Sequence, residues 1–474
     1  MSFTDIIFYL FFIIVFGLIL LIDSPIGEKC FKRKTPIIRK IVLLIASYIF
    51  YGYWDWRFCF LLLLISLTVF FCAKKIDKGK IYTVIGVVFP LIALGFFKYF
   101  NFFVGSFVSL FNIKNIGALN IILPVGISFY TFQSLSYIID VKRKTIKAEN
   151  SFLNLALYIS FFPQLVAGPI VKASDFLPQL RDNRKITTAN IEAGIQIFVF
   201  GLFKKVVLSD NIAPFVDDVF ERTELYSSLS IVMAVIAYSF QIFLDFSGYS
   251  DMAIGCAKIF GFDFNKNFNM PYASRNVSEF WKRWHISLSS WLQSYLYIPL
   301  GGNRKGTART YANLIITMLL GGLWHGAEWT FVVWGLLHGL ALCINKMYRK
   351  LTHHNKNYSG TAAGNIISIF ITYIFVCFCW IFFRAENMSQ AIEIIKAIIQ
   401  MKSGINFPYI WLIATAVLIV AATIIAFYRD KRINSFYPLF NLKKLSGLVC
   451  FITFTGIVII FAYTGANPFV YFQF

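Results

Sequence analysis

Two histidines could do chemistry, because each lies in a dense apolar or aromatic run. His325 lies in residues 318–329, MLLGGLWHGAEW, with two glycines just before it and one just after. An imidazole at membrane depth is costly, which makes it a candidate functional group. Apolar surroundings favour its neutral form, a competent general base for a hydroxyl acceptor. The run therefore predicts a proton-transfer site, and its glycines predict close approach of backbone or substrate.

His285 lies in a second cluster, residues 279–291, EFWKRWHISLSSW. On one continuous helix, an aromatic stripe would recur at three- and four-residue spacing and consist of Trp281, Trp284, Leu288, Trp291 and Tyr295. Such a stripe is either an interfacial helix anchored by its tryptophans or part of a substrate site. Lys282 and Arg283 would hold lipid headgroups or the phosphates of an acyl donor. His285 itself is either a structural histidine or one that takes part in catalysis or positions the donor.

Other polar groups give weaker indications. No Ser, Cys or Asp stands at a spacing that supports a covalent triad with either histidine. A pairing of His338 with His325 is not indicated. For Asp245 and Asp251 we expect an ion pair with an arginine on the cytoplasmic side. The eight cysteines are scattered without CxxC spacing, so neither a disulfide framework nor a metal site is expected.

Composition identifies the scaffold that must position these groups. The chain has 474 residues, of which 58% are hydrophobic and only 14% charged. Such a chain is a polytopic membrane protein rather than a set of soluble domains. The first apolar run lacks a basic flank, so we expect a retained helix and not a cleaved signal.

The apolar runs predict about twelve crossings. They lie near residues 5–22, 41–54, 58–73, 81–104, 121–139, 191–207, 231–249, 318–329, 331–343, 366–383, 410–427 and 448–463. Residues 152–170 contain Pro163, Gly168 and Pro169 between two basic segments, which predicts a re-entrant hairpin instead of a span.

The basic residues orient these spans. Most of the 44 Lys and Arg residues fall in segments such as 24–40, 74–80, 142–147 and 250–310, which are therefore expected on the cytoplasmic side. Both termini would then lie outside, and His325 would lie inside the membrane or towards its outer half. This orientation accounts for the net charge of +21, so binding to nucleic acid is not needed to explain it.

These motifs together resemble a known family. Residues 280–289, FWKRWHISLS, 297–304, YIPLGGNR, and 324–326, WHG, resemble the membrane-bound O-acyltransferases. Within that family the chain is most similar to the bacterial alginate and peptidoglycan O-acetylation membrane proteins. Residues 167–169, 245–251 and 468–474 extend the resemblance to nearly the whole chain.

The resemblance implies an all-α polytopic membrane fold of about 11–12 transmembrane helices, with re-entrant helices around a central tunnel. One integral-membrane domain would span residues 1–474, with N-terminal spans in 1–150, a catalytic core in 151–345 and C-terminal spans in 346–474. His325 matches the family's catalytic histidine and His285 its second, cytoplasm-facing histidine. The residues of these motifs expected at the substrate site are Trp281, Lys282, Arg283, Trp284, Asn303, Arg304 and Trp324.

The implied reaction needs no cofactor beyond acetyl-CoA, which is the acyl donor. A protein in a bacterial cytoplasmic membrane would take the acetyl group from the cytoplasm and pass it across. A separate extracytoplasmic acetyltransferase would then modify a polysaccharide or peptidoglycan. Two alternatives stay open, namely D-alanyl transfer to teichoic acid within the same family, and a transporter or flippase without acyl chemistry.

Overall fold

A computed structural model describes residues 1–111, 119–166, 168–182, 184–352, 361–406 and 440–465. The described residues form helices joined by short turns, and no sheet strand is found among them. Two compact units make up the chain. The first contains Met1–Phe198 and Tyr249–Asn265, and the second contains Val199–Gly248 and Lys266–Phe474. The predicted all-α membrane fold is thus confirmed in its helical character.

The first unit contains most of the predicted N-terminal spans. Its helices are Ile6–Asp23, Pro25–Phe31, Thr35–Asp55, Arg57–Lys74, Lys80–Leu94, Phe100–Phe111, Ile127–Lys142, Phe152–Ser160, Phe162–Leu165, Ala173–Arg181 and the greater part of Thr188–Leu202. A π-helical turn, Gly95–Tyr99, joins Lys80–Leu94 to Phe100–Phe111 without interrupting the rod.

The second unit contains both histidines singled out by the sequence. Its helices are Asp210–Glu221, the first part of Ser228–Ile259, Val277–Arg283, Ile286–Leu292, Gly306–His325, Trp329–Leu351, Ala362–Arg384, Met388–Ile399 and Leu445–Ile460. Two π-helical segments, Phe203–Ser209 and Gln293–Tyr297, interrupt the regular helices.

Seven helices among the described residues are long and apolar enough to cross a membrane. They are Ile6–Asp23, Pro25–Asp55, Arg57–Lys74, Lys80–Phe111, Ser228–Ile259, Trp329–Leu351 and Ala362–Arg384. Each overlaps a predicted span, so the chain is a multi-pass membrane protein. Pro25–Asp55 also includes most of the segment 24–40, which was predicted as a loop and is largely helical. The predicted span 410–427 lies outside the described residues. The central tunnel and the division of the chain at residues 151 and 346 stay predictions.

The predicted span near 121–139 differs from the structure. The helix there, Ile127–Lys142, has 16 residues, and 14 of them are buried. It packs against Arg57–Lys74 and Lys80–Leu94 within the first unit. Ser, Thr and Gln side chains recur along it, a composition suited to contact with protein rather than with lipid chains. The sequence therefore predicted the helix correctly, and the structure adds that other helices of the first unit bury it.

The segment 152–170 is broken, as its prolines indicated. Phe152–Ser160 ends at Phe161, where the backbone turns extended, and a single turn, Phe162–Leu165, follows. The Ser47 hydroxyl accepts a hydrogen bond of 3.1 Å from the amide of Phe162, which holds the break in the core. Neither piece reaches the roughly 20 residues that a helix needs to cross a bilayer, so the prediction that this segment does not span is confirmed.

The concentration of Lys and Arg in some loops predicts which loops an impermeant thiol reagent can reach from outside the cell. We expect Lys147→Cys to be protected in intact cells and Glu221→Cys to react, since basic loops stay cytoplasmic. Both side chains are exposed, so failure to react would report sidedness and not burial. The background chain would carry serine at Cys30 and Cys450, the exposed native thiols. Labelling of Lys147→Cys from outside would contradict the orientation.

Candidate active site

The site is built on two helices that cross in unusually close contact. Gly306–His325 and Trp329–Leu351 form an antiparallel pair in the second unit. A Cβ atom added at Gly322 would overlap the carbonyl oxygen of Phe331, and one added at Gly335 would overlap that of Met318. Only glycine lets the two backbones approach so closely. This contact fixes where the first helix ends, and with it the position of His325.

His325 is the last residue of its helix. The helix stops because Gly326 adopts an extended conformation, φ −155° and ψ 152°, and a Cβ there would overlap the Phe331 ring. The imidazole is 3% exposed. Aromatic rings surround it, with centroids 5.1 Å away for Trp334 and 5.2 Å for Phe383. The glycine-flanked histidine is therefore buried among aromatic rings.

His285 lies at a break between two short helices, Val277–Arg283 and Ile286–Leu292. Trp284 is extended, and His285 itself has φ 42° and ψ 56°, a left-handed conformation that is uncommon for residues other than glycine. The prediction of one continuous helix with a single aromatic stripe is therefore wrong. The left-handed residue turns the chain so that the imidazole is fully buried.

Asn267 holds the His285 ring. Its side-chain oxygen accepts hydrogen bonds from the backbone amide of Ser287 at 3.1 Å and from the Ser287 hydroxyl at 2.9 Å. The same oxygen lies 3.2 Å from Nδ1 of His285. Because a backbone N–H can only donate, the atom facing it must be the amide oxygen, so Nδ1 carries the proton and donates. Sequence reasoning had not singled out Asn267.

This hydrogen bond leaves a lone pair on Nε2 of His285. That nitrogen is buried and has no hydrogen-bond partner within the part of the chain that the structure describes. Burial disfavours the charged imidazolium, so the pKa of His285 lies below its usual range and the ring is neutral. Phe246 meets the ring edge-on with centroids 4.6 Å apart. His285 thus presents a preorganised acceptor nitrogen in an aromatic environment.

The fold brings the two histidines together although 40 positions separate them in the sequence. Their ring centroids are 6.4 Å apart. Trp324 lies beside both, at 5.7 Å from His285 and 5.0 Å from His325. A centroid separation of this size lies within the range of aromatic rings that contact each other. The fold therefore places the two imidazoles side by side at one site.

His338 belongs to the same aromatic cluster but has a different setting. It is fully buried, and the Trp281 indole donates a hydrogen bond of 3.3 Å to its Nδ1. Trp334 contacts the His338 ring at 4.8 Å and the His325 ring at 5.1 Å, so an indole lies against both histidines. Trp281, a predicted substrate-binding residue, thereby fastens the Val277–Arg283 helix to the Trp329–Leu351 helix.

The two basic residues of the motif differ in their surroundings. Lys282 is exposed, whereas Arg283 pairs with Glu279 at 2.8 Å. Arg275 pairs with the same carboxylate at 3.3 Å. Burial opposes ionisation of Glu279, but the amide of Arg275 and the guanidinium of Arg283 hold its pKa below the usual value. The local charge is therefore positive, with Lys282 as the more available cation.

The remaining predicted substrate residues occupy two further positions. Trp284 is fully buried and stacks on Phe280 with centroids 5.6 Å apart, so it forms part of the packed wall beside His285. Asn303 and Arg304 lie on an exposed turn. The buried amide of Asn313 anchors that turn by a 3.0 Å hydrogen bond to the carbonyl of Gly302. The structure does not place this turn against either imidazole.

The structure contradicts the expected ion pair between Asp245 and an arginine. Asp245 pairs with the buried ammonium of Lys205 at 2.7 Å, and Asp210 pairs with the same ammonium at 2.8 Å. The predicted partner, a cytoplasmic-side arginine, is wrong, because a lysine on the π-helical segment Phe203–Ser209 faces this carboxylate instead. The ammonium between the two carboxylates offsets part of the cost of burying these charged groups.

Comparison with known proteins identifies the family. Residues 47–385 match MBOAT, the membrane-bound O-acyltransferase family. The chain is 39% identical over 409 residues to the peptidoglycan O-acetyltransferase of Helicobacter pylori, covering 80% of this chain and 76% of that protein. It is 39% identical over 408 residues to the probable alginate O-acetylase AlgI of Azotobacter vinelandii, covering 82% and 79% respectively.

The chain is more distantly similar to a protein named for transfer of a different acyl group. The teichoic acid D-alanyltransferase of Bacillus subtilis is 27% identical over 279 residues, covering 56% of this chain and 70% of that protein. The region matched to the family contains both histidines, Asn267 and the crossing glycines. The chain therefore belongs to the membrane-bound O-acyltransferase family and is an O-acyltransferase.

Proposed function

We propose that this enzyme moves acetyl groups from cytoplasmic acetyl-CoA across a bacterial cytoplasmic membrane for O-acetylation of an extracytoplasmic glycan. The juxtaposition of His285 and His325, with ring centroids 6.4 Å apart among buried aromatic side chains, carries this proposal. The named activities of the relatives at 39% identity support acetyl as the acyl group, and those relatives act on peptidoglycan and alginate. A D-alanyl group is the alternative. It has weaker support, because the D-alanyltransferase relative is only 27% identical to this chain.

In the proposed reaction His325 is the general base. It takes the proton of the acceptor hydroxyl while that oxygen attacks the thioester carbonyl of the donor. The new ester C–O bond forms, the C–S bond breaks, and the proton passes to the departing thiolate. Burial excludes water, which would otherwise hydrolyse the thioester. A base placed in this way typically accelerates a reaction by about 10²–10⁴-fold.

His285 has the complementary role on the donor side. Its proton is held at Nδ1 by Asn267, so its Nε2 accepts a hydrogen bond from the substrate. The pantetheine arm of the donor carries amide N–H groups that suit this nitrogen. Trp324 lies against both histidines and would keep the thioester between them. We further propose that a separate extracytoplasmic acetyltransferase receives the acetyl group and transfers it to the glycan.

Purified protein incubated with acetyl-CoA labelled in its acetyl group tests the proposed function. We expect label to move to a soluble hydroxyl acceptor or to water, with release of free CoA thiol. A D-alanyl thioester donor supplied in parallel should be used more slowly. Turnover of the D-alanyl donor alone would favour the alternative acyl group. Substrate flux without any acyl transfer would instead revive the transporter hypothesis.

The basic pair at residues 282–283 should govern donor affinity. We expect Lys282→Gln together with Arg283→Gln to raise the KM for acetyl-CoA about ten- to a hundredfold, since one lost charge-assisted contact is worth about 1.5–3 kcal/mol. Lys282→Gln should have the larger single effect, because Glu279 already neutralises Arg283. Initial rates at varied donor concentration measure this.

Arg275→Gln is the matched control for the basic pair. Arg275 binds the same Glu279 carboxylate as Arg283 but precedes the helix that carries Lys282. We expect its KM for the donor to change little. An unaltered KM in the double variant would return residues 282 and 283 to the headgroup-binding alternative.

A further inference from the structure

A cavity in the first unit combines an apolar floor with a cationic rim. Its volume is about 460 Å³, within the range of small-ligand sites. Leu43, Leu180 and Phe262 contribute apolar surface. Six basic residues also line it, namely Lys32, Arg33, Arg39, Lys40, Arg184 and Lys185. Only two carboxylates, Asp23 and Glu28, accompany them, which leaves four positive charges in excess.

Three of the six cations are engaged in ion pairs. Arg39 pairs with Asp23 at 3.3 Å, Lys185 with Glu28, and Arg184 with Asp263 at 2.6 Å. Lys32 and Arg33 are exposed and form no ion pair within the part of the chain that the structure describes. The rim therefore retains cations able to bind an anionic group.

Arg39 gives a second, independent indication of a ligand. Its side chain is 7% exposed. Its terminal nitrogens donate to the carbonyls of Arg184 and Phe260. Its Nε–H, also buried, has no hydrogen-bond partner among the described residues. A buried guanidinium N–H without an acceptor is costly, so an acceptor oxygen in the cavity would relieve that cost.

The basic rim of the cavity also lies between two candidate membrane spans. Ile6–Asp23 and Pro25–Asp55 are both long and apolar enough to span the membrane, and the rim lies where they meet. Basic residues in this position mark the cytoplasmic face, whose lipid surface is anionic. An amphiphile with a phosphate and an apolar body would match both the rim and the floor.

We propose that this cavity is a binding site for the phosphate headgroup of an anionic phospholipid. Lys32 and Arg33 contact the phosphate at the rim, and the Arg39 Nε–H supplies a buried donor beneath them. Glycerol and the first part of the acyl chains lie against Leu43 and Phe262. None of the residues that line this cavity takes part in the proposed acyl transfer, so either proposal can fail without the other.

Binding to the full-length protein in a neutral detergent tests the site. The probe is a fluorescent short-chain phosphatidylglycerol, with the phosphatidylcholine analogue in parallel. We expect the phosphatidylglycerol to bind more tightly, and Lys32→Gln with Arg33→Gln to weaken it about tenfold or more. The control is Lys78→Gln with Lys80→Gln, two exposed cations on another predicted cytoplasmic turn, which should leave the Kd unchanged.

Two competitors separate the sources of phosphate. Inorganic phosphate and coenzyme A, each at the concentration of the lipid probe, should fail to displace it, because neither fills the apolar floor. Displacement by coenzyme A or phosphate would assign the cavity to a soluble ligand and overturn the proposal. Equal weakening in both variant pairs, or equal binding of the phosphatidylcholine analogue, would reduce it to general surface attraction and also overturn it.

Discussion

Replacing His325 with alanine is expected to lower the rate of acyl transfer by about 10²–10⁴-fold, the contribution typical of a positioned general base. The loss should fall on kcat, because His325 acts on the proton that moves in the transition state. Glycan O-acetyl content in cells, and turnover of labelled acetyl-CoA by purified protein, measure the effect at matched membrane abundance. Alanine adds no bulk beside Gly326 and the Phe331 ring, so we expect the protein to insert and to be extracted normally.

His338→Gln is the matched control for this substitution. His338 is as deeply buried as His325 and shares Trp334 with it, but its Nδ1 already accepts the Trp281 indole N–H. Glutamine can supply an acceptor oxygen for that N–H. We therefore expect the variant to retain activity within about tenfold of the parent chain, a loss of packing rather than of chemistry. Near-normal acetylation with His325→Ala would contradict the assignment of the base.

The sequence predicted an apolar setting for His325, and the structure shows the side chain buried. A titratable side chain within an apolar run, beside glycines, has few structural explanations. The structure adds what spacing could not supply, namely that Gly322 and Gly335 bring two backbones into contact. That contact determines which rings face the imidazole.

The sequence did not predict the helix break at His285, for a definite physical reason. Periodicity assumes an unbroken helix, and no residue from 279 to 291 is a glycine or proline that would indicate a break. The break occurs at a histidine with positive φ, which local propensity disfavours and tertiary contacts must enforce. Asn267 supplies part of that enforcement, since its backbone carbonyl also accepts a 2.8 Å hydrogen bond from Ile286.

The helix Ile127–Lys142 shows a second limit of sequence patterns. Hydropathy indicates that a segment is removed from water. The interior of a membrane protein and the lipid chains around it both exclude water, so hydropathy does not distinguish them. A polar side chain such as Gln133 indicated protein contact, and this indication could have separated the two environments. Seven predicted spans lie largely within helices that are long and apolar enough to cross a membrane, whereas the predicted spans 191–207 and 448–463 do not overlap any of these seven helices and 318–329 shares only Trp329 with one of them.

Asn267 and His285 are expected to act as one unit, which gives the second large effect. Alanine at His285 should reduce turnover about 10²-fold or more, since the acceptor nitrogen on the donor side is lost. Asn267→Leu is nearly isosteric but offers no oxygen to Nδ1–H. The imidazole could then place its proton on Nε2, and we expect about a ten- to a hundredfold loss, as for other residues that orient a functional side chain.

Two single variants separate positioning from folding. Asn267→Asp keeps an acceptor oxygen for Nδ1 and for the Ser287 amide, so it should recover most of the activity that leucine removes. Ser287→Ala deletes one hydrogen bond to Asn267 and a 3.4 Å contact with Nδ1 of His285. It leaves the shorter contact between Asn267 and Nδ1, so it should cost much less activity than Asn267→Leu. Equal losses in Asn267→Asp and Asn267→Leu would indicate a role that does not depend on the acceptor oxygen.

The double variant decides how the two residues are coupled. If Asn267 acts only by holding the His285 ring, then adding Asn267→Leu to His285→Ala should cost nothing further, because the ring that Asn267 positions is gone. Steady-state kcat for the four chains of this cycle measures the coupling, with membrane abundance and thermal stability recorded for each. Losses that multiply would mean that Asn267 contacts the substrate or supports the fold on its own account. A double variant no slower than His285→Ala would assign the proton of Nδ1, and hence the acceptor role of Nε2, to the hydrogen bond with Asn267.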